Sequence, residues 1–137
     1  MRAVFLDTSF ALALELADDS AHNNAAECWA GIVSERDPLV TTSGVVMEVA
    51  AYLANRRLHG QAVRVAKSLM NHPQIECVFV DEILFDLGWS YFQRHSDKTY
   101  SLVDCISFTL MKQRKMTTAL TFDKHFAQAG FNMVPEQ

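Results

Sequence analysis

The chain is predicted to be an α/β protein in which helices cover both faces of a central, mainly parallel sheet of about five strands. Two observations predict this three-layer arrangement. Short apolar runs of strand length alternate with longer helical patterns along the 137 residues. The strand candidates are also apolar throughout instead of alternating, which is typical of parallel strands buried on both faces. Ligands bind such sheets outside the carboxyl ends of the strands, so polar residues that follow strands are the first candidates for a functional site.

Length and composition favour one globular domain, 1–137, in the cytoplasm. Half of the residues (50%) are hydrophobic and 20% are charged, which suits a chain with a full core. The N-terminal apolar run is too short for a signal peptide or a membrane span. Cys28, Cys77 and Cys105 lack metal-site spacing and are predicted to be buried free thiols. The net charge of -4 argues against nucleic-acid binding by bulk electrostatics, but it is compatible with a nuclease whose acids hold a metal.

The predicted strands are short and rich in apolar and β-branched residues, and turn or cap residues follow them. In chain order they are 3–6, 39–42, 75–80, 117–121 and 131–134. A helical pattern separates each strand from the next. Strands that alternate with helices imply βαβ units, and therefore a parallel sheet.

The predicted helices fill the segments between the strands. In chain order they are 10–16, 21–35, 44–57, 61–71, 81–95, 101–114 and 123–129. Ser43 is the predicted N-cap of the third helix, and Gly60 separates the third helix from the fourth. Ser101 and Asp104 fit a capping box at the start of the sixth. Segments 10–16 and 83–92 carry more apolar residues than a small core needs, so both are expected to offer surface for a partner.

Four acidic residues are expected to meet at one edge of the sheet. Asp7 and Asp123 follow strands at their carboxyl ends, and Asp104 lies in the first turn of its helix. Taken singly, each is explained as a helix cap. Glu48 lies too deep in its helix to cap it, and taken singly it is a solvated side chain beside the apolar face. Together, four close carboxylates repel one another unless a divalent cation compensates them, and carboxylate oxygens suit Mg²⁺ or Mn²⁺.

Four segments of the sequence resemble the PIN-domain family, and in particular its VapC-like toxin branch. They are FLDTS at 5–9, TTSGVVMEVAAYL at 41–53, DKTYSLVDCISF at 97–108 and ALTFDKHF at 119–126. The resemblance covers nearly the whole chain and implies a sheet of order 3-2-1-4-5. It further implies a metal-dependent endoribonuclease with Mg²⁺ (or Mn²⁺) as its cofactor. By the same resemblance, Asp7, Glu48, Asp104 and Asp123 are the catalytic and metal-binding quartet.

The resemblance also implies the partners. An RNA substrate would be hydrolysed by water activated on one or two metal ions. Toxins of this branch are usually held by a cognate antitoxin. A second copy of the chain is the other expected partner, because segments 10–16 and 83–92 offer apolar surface for it. Two basic groups are candidates for phosphate contact: Arg56, Arg57, Arg64 and Lys67, and Lys112, Arg114 and Lys115. The second group is better explained as a solvated helix end.

Several residues near the quartet have two interpretations. Thr8, Ser9 and Thr121 offer hydroxyls that orient a carboxylate or a water, or that cap helices, and capping is the preferred interpretation. Asp97 matches a frequent flanking acid of the family, and one interpretation is that it fixes the loop before the sixth helix. His125 is interpreted as an exposed residue of a surface helix.

An α/β sheet also supports other functions, and each needs its own pattern of acidic residues. A HAD-type phosphatase needs a second Asp two residues after the first, where Ser9 stands in this sequence. A receiver-type signalling domain needs an acid pair near the first strand, and Asp81, which follows the third strand, has no such pair. The alternative that stays open is a non-catalytic RNA- or protein-binding module with the PIN fold. The complete set of four mutually repelling acids favours catalysis over that alternative.

Overall fold

The sheet has five parallel strands in the order β3-β2-β1-β4-β5. They were located in a computed structural model that describes residues 3–137. The strands are β1 (Val4–Leu6), β2 (Leu39–Thr42), β3 (Ile75–Val78), β4 (Thr118–Leu120) and β5 (Asn132–Val134). The predicted fold class and strand order are therefore confirmed. Met1 and Arg2, the first residues of the predicted domain, lie outside the described part.

Helices flank this sheet within residues 3–137. They are α1 (Thr8–Glu15), α2 (His22–Glu35), α3 (Ser43–Asn55), α4 (His59–Asn71), α5 (Glu82–Arg94), α6 (Leu102–Gln113) and α7 (His125–Gln128). None of these seven is both long and apolar enough to cross a membrane. The predicted cap of α3 is wrong by one residue, because Thr42 Oγ1 accepts the Val45 N–H. The Ser43 hydroxyl instead accepts the Val80 N–H at 2.9 Å, which ties the start of α3 to the segment after β3.

The core lies on both faces of the sheet. Its largest fully buried side chains include Phe5 and Leu39 from the strands and Phe10, Val49 and Phe108 from the helices. Few polar groups lie among these residues, because the strands are covered on both faces. Helix α1 belongs to this core, with 10–13 all buried. The prediction of spare apolar surface on segment 10–16 is therefore wrong. No apolar side chain of this segment is exposed, because α1 packs against α2 and α3.

Helix α5 does expose apolar side chains, as predicted. Its buried stripe of Leu84, Gly88 and Tyr91 packs against α6. Ile83 and Leu87 flank this stripe on one side, and an aromatic stripe flanks it on the other, consisting of Phe85, Trp89 and Phe92. The exposed fractions run from 37% at Phe92 to 71% at Ile83. Exposed apolar surface of this extent is typical of a protein interaction site.

The three cysteines are free thiols, as predicted, but only Cys105 is buried. Cys28 and Cys77 are half-buried, because each lies at the margin of the core and not within it. Burial raises the pKa of the Cys105 thiol to about 11. This thiol is therefore protonated and unreactive at neutral pH.

Candidate active site

The four acids singled out in the sequence converge on one cleft at the carboxyl edge of the sheet. Asp7 follows β1, Glu48 lies in α3, Asp104 lies in the first turn of α6, and Asp123 follows β4. The cleft has a volume of about 560 Å³, and its other lining residues are Thr8, Ser9, Leu12, Ala51, Tyr52, Thr99, Ser101 and His125. Strands β2, β1 and β4 are neighbours in the sheet, so the segments that follow them meet at this point.

Asp7 is the most deeply buried of the four acids, with 4% of its surface exposed. Its Oδ2 accepts hydrogen bonds from Thr121 Oγ1 at 2.7 Å and from Ser9 Oγ at 2.8 Å. The same oxygen accepts the Ser9 N–H and so caps α1. Burial raises the pKa of the Asp7 carboxyl to about 7, although these hydroxyls lower it; the nearby Asp104 raises it further.

Glu48 reaches the cleft from the middle of α3. Its Oε1 accepts a hydrogen bond of 2.6 Å from Thr8 Oγ1. Burial raises the pKa of Glu48, the Thr8 hydroxyl lowers it, and the charges of Asp104 and Asp123 raise it. The interpretation of Glu48 as a solvated helix flank is therefore wrong: it is half-buried and held by a partner from another helix.

Asp104 is both a helix cap and a member of the cleft. The Ser101 N–H donates to Asp104 Oδ2 at 3.1 Å, and the Asp104 N–H donates to Ser101 Oγ, so the predicted capping box is present. Only 7% of Asp104 is exposed. Burial raises the pKa of this carboxyl, the Ser101 N–H lowers it, Asp123 raises it, and His125 lowers it.

His125 joins two of the acids, which the sequence interpretation missed. Its Nδ1 lies 3.1 Å from Asp104 Oδ2 and 3.3 Å from Asp123 Oδ1. Its backbone N–H donates to the same oxygen of Asp123 at 2.9 Å, and its Nε2 lies 2.9 Å from Thr99 Oγ1. The interpretation of His125 as an exposed helix residue is wrong, because the ring is half-buried in the cleft and packs edge-on against Tyr100.

Each of the four carboxylates uses one oxygen for the contacts described above. That oxygen is Oδ2 in Asp7 and Asp104, Oδ1 in Asp123 and Oε1 in Glu48. Among residues 3–137, no buried side-chain nitrogen or oxygen lacks a hydrogen-bond partner. All four acids line the same cleft, and carboxylate oxygens are ligands that suit a hard divalent cation.

A further group could hold a metal ion with a nitrogen ligand. One atom each from Asp104, Asp123 and His125 lies within 4.8 Å of the other two. Asp7 and Glu48 line the same cleft but do not belong to this group. Because Nδ1 of His125 lies against one oxygen of each carboxylate, the ring holds Asp104 and Asp123 in place. Mg²⁺ prefers oxygen ligands, and these two carboxylates supply them.

The comparison with protein families identifies the family to which the chain belongs. The model of the PIN domain matches residues 4–132. The chain belongs to the PIN-domain family. The family predicted from the four segments is thereby confirmed.

Individual relatives extend this comparison. The chain is 34% identical over 128 residues to the 23S rRNA-specific endonuclease VapC20 of Mycobacterium tuberculosis, covering 93% of this chain and 95% of that protein. The crystal structure of this VapC20, described as a sarcin-ricin loop cleaving toxin, superposes with a TM-score of 0.85 at 32% identity and covers 93% and 95% of the two chains.

More distant solved structures share the fold. VapBC2 from Rickettsia felis, bound to a DNA fragment from its promoter, matches with a TM-score of 0.66 at 10% identity over 96% of each chain. FitAcB from Neisseria gonorrhoeae matches with a TM-score of 0.65 at 17% identity over 95% of each chain. At these identities the likeness concerns the fold alone.

The hydroxyls beside the acids orient carboxylates, so the preference for capping is wrong. Thr8 donates to Glu48, and Ser9 and Thr121 donate to Asp7. Thr121 Oγ1 also accepts the Asp123 N–H at 2.9 Å. One hydroxyl therefore connects two of the acids, which the sequence could not indicate because the partners are 114 positions apart.

The flanking acid and the basic groups lie outside the cleft or beside it. Asp97 is exposed and does not line the cleft; its nearest cation is Lys98 Nζ at 3.9 Å. Arg64 pairs with Glu15, and Arg114 binds Glu76 through two nitrogens at 2.8 and 2.9 Å. Both arginines are thus engaged within the chain. Arg56 lies over the ring of Tyr52, a residue that lines the cleft.

Proposed function

We propose that the chain is a metal-dependent endoribonuclease and that Asp7, Glu48, Asp104 and Asp123 are its catalytic and metal-binding residues. The observation that carries this proposal is the convergence of these four carboxylates on one cleft. Close, buried carboxylates cannot all ionise at neutral pH without compensating charge. Membership of the PIN-domain family and similarity to a protein named as an endonuclease support the same reaction class.

In this proposal the side chains divide the work. A bound Mg²⁺ or Mn²⁺ supplies an activated water and offsets the charge of the phosphate. Asp7, Asp104 and Asp123 would hold the ion. Glu48, fixed by the Thr8 hydroxyl, binds through water or positions the nucleophile. The ring of His125 keeps Asp104 and Asp123 in register, as a partner behind the ligands does in other metal sites.

We further propose ribosomal RNA as the substrate. Two observations support this choice over transfer RNA or messenger RNA. The relative that shares 34% of its residues is named as specific for 23S rRNA, and the match covers 95% of that relative. Its solved structure has nearly the same backbone over the same range.

Cleavage of RNA by the purified chain tests the proposal. Ribosomes and total cellular RNA are incubated with the protein and Mg²⁺ or Mn²⁺, with or without EDTA, after unfolding and refolding to remove any bound inhibitor. Discrete products are expected with metal, none with EDTA and none from Asp104→Asn. Asp97→Asn is the matched control, since this acid lies outside the cleft, and it should cleave like the unaltered chain.

The same experiment distinguishes the alternative. If the folded, unaltered chain and Asp104→Asn leave identical RNA patterns in every metal, the nuclease proposal fails. Retained binding of RNA in that case would favour the non-catalytic module. Products that do not map to ribosomal RNA would refute the substrate and keep the reaction.

We infer that the biological role is that of the toxin in a type II toxin–antitoxin pair. The similarity to a VapC toxin supports this role. Expression of the chain should arrest bacterial growth, and Asp104→Asn should not. Co-expression of the product of the adjacent reading frame should restore growth. Normal growth with the unaltered, folded chain would contradict the inference.

A further inference from the structure

An aromatic side chain lies exposed on the wall of the acidic cleft. Tyr52 lies one helical turn after Glu48 in α3, about 6 Å further along the axis. It is 38% exposed and lines the same cleft as the four acids. Its neighbour Leu53 is fully buried in the core, so the helix directs Tyr52 away from the core and towards the cleft.

A cation follows directly after the last residue of α3. Arg56 lies one turn after Tyr52, and its Cζ lies 4.0 Å from the centre of the Tyr52 ring. The two side chains also line a second hollow of about 320 Å³, together with Leu16, Asp18, Asp19 and Leu58. Tyr52 thus belongs to the walls of both hollows, and a strand that enters the acidic cleft can continue past Tyr52 towards Arg56.

The charges in the second hollow are mixed, and one of its acids is engaged. Asp19 Oδ1 accepts the Ala21 N–H at 2.8 Å, which fixes that carboxylate to its own loop. Arg56 is the cation among the residues that line the hollow. Its guanidinium is held over the ring of Tyr52. Binding of a phosphate therefore costs this side chain little conformational entropy.

We propose that Tyr52 is a stacking platform for a base of the RNA strand beside the cleaved phosphate, and that Arg56 binds the next phosphate of that strand. This rests on RNA as the ligand of the cleft. The acids, with their metal, hold a single phosphate, and the strand needs contacts beyond it. Every nucleobase has a π face, so stacking on an aromatic ring accepts any sequence. The planar guanidinium suits both the ring and the phosphate oxygens.

Binding of RNA is the first test. The probe is a short, fluorescein-labelled, single-stranded RNA of mixed sequence, and its anisotropy gives the Kd with Mg²⁺ present. All proteins carry Asp104→Asn, so that the RNA stays intact. Tyr52→Leu should raise the Kd roughly tenfold, and Tyr52→Phe should not. Phe79→Leu is the matched control, because Phe79 is exposed at 65% but lies outside both hollows, and it should leave the Kd unchanged.

The dependence on salt separates the two side chains. Arg56→Gln removes one phosphate contact and should reduce the slope of log Kd against log salt by about 0.7. Tyr52→Leu should weaken binding and leave this slope unchanged, because stacking releases no counterions. A Kd that is the same for Tyr52→Leu and Tyr52→Phe would overturn the platform. An unchanged slope for Arg56→Gln would overturn the phosphate contact and reduce the pair to a contact within α3.

Cleavage kinetics distinguish failure of this subsite from failure of the nuclease. In the otherwise unaltered chain, Tyr52→Leu should raise KM about tenfold with kcat nearly constant, as expected when binding alone is lost. Cleavage with an unchanged KM would refute the subsite and keep the nuclease. A chain that cleaves no RNA, but whose Kd depends on Tyr52, would refute the nuclease and support the subsite.

Discussion

Thr8 Oγ1 donates a hydrogen bond of 2.6 Å to Glu48 Oε1 and so joins the first turn of α1 to the middle of α3. The two residues are 40 positions apart. The carboxylate of Glu48 lies at the end of a flexible side chain, and the hydrogen bond from Thr8 fixes its position. Glu48 lines the cleft, where the proposed reaction needs a carboxylate in a fixed place.

Removal of this hydroxyl should lower activity more than stability. Thr8→Val keeps the shape of the side chain but leaves Glu48 without its donor, so kcat should fall about tenfold, the equivalent of one bond to a charged group. Thr8→Ser keeps the hydroxyl and should retain most of the activity. RNA cleavage and thermal unfolding of the two variants provide the measurement. Equal kcat values for Thr8→Val and Thr8→Ser would show that the bond has no part in the reaction.

His125 should set the affinity for the metal. His125→Ala removes the group between Asp104 and Asp123, so the two carboxylates lose their alignment. Loss of such a partner typically weakens metal binding about 10- to 100-fold. Titration of Mn²⁺ by calorimetry should show this loss of affinity. His125→Asn retains a hydrogen-bond donor on a shorter side chain and should lose less affinity than His125→Ala. An unchanged Mn²⁺ affinity in His125→Ala would assign the ring to packing against Tyr100 alone.

Without metal, the stability of the chain should fall as pH rises from about 4 to about 7. The pKa of Asp7 is about 7 in the folded chain and 3.8 is its ordinary value. Between these values the folded state binds more protons than the unfolded state, so the free energy of unfolding decreases with pH. The difference corresponds to about 4 kcal/mol as an upper limit. Burial raises the pKa of Glu48 and Asp104 in the same direction.

Urea unfolding at several pH values in EDTA measures this loss. Asp7→Asn cannot ionise and should show a flatter dependence on pH than the unaltered chain. Added Mg²⁺ should stabilise the chain mainly at the upper end of the range, because it binds the ionised acids. If stability in EDTA rises between about pH 4 and about pH 7, the raised pKa of Asp7 is wrong.

The sheet and the place of its acids were predictable because both follow from local pattern. Apolar strands that alternate with helices fix a parallel sheet, and parallel strands bring their carboxyl ends to one edge. The cap interpretations of Asp7 and Asp104 also proved compatible with a place in the cleft. A cap uses one carboxylate oxygen, and both residues also line the cleft.

The position of His125 was not predictable from its neighbours in the chain. Helix α7 has four residues, too few for a hydrophobic period to reveal its buried side. Its orientation is set by Phe126, which is fully buried and packs against Phe5 and Phe108. This packing turns His125 towards Asp104. The one local signal was the apolar Phe126 directly after the histidine.

The close packing of α5 on α6 leaves no room for a side chain at Gly88, so a substitution there should lower stability. A methyl group on Gly88 would lie 2.5 Å from Ile106 Cγ1 and 3.0 Å from Ile106 Cα, and the backbone atom cannot move freely. Gly88→Ala should therefore lower the free energy of unfolding by about 1–3 kcal/mol. Gly31→Ala in α2 is the matched control, because nothing lies within 4 Å of the added carbon. It should stabilise the chain by about 0.5–1 kcal/mol. Urea unfolding measures both, and a change of the same sign in the two variants would contradict the close approach.

The aromatic stripe of α5 should be the contact between two copies of the chain. Phe85, Trp89 and Phe92 lie on one side of this helix, and the rings of Trp89 and Phe92 stack at 5.6 Å. Trp89 is 44% exposed, and buried Trp residues carry much of the binding energy in protein interfaces. Trp89→Lys should convert a dimer to a monomer, as judged by light scattering during size-exclusion chromatography. Ile83→Lys, on the opposite flank of α5, is the control and should stay dimeric. If Ile83→Lys alone gives a monomer, the contact lies on that flank, because the two stripes face different directions from the same helix.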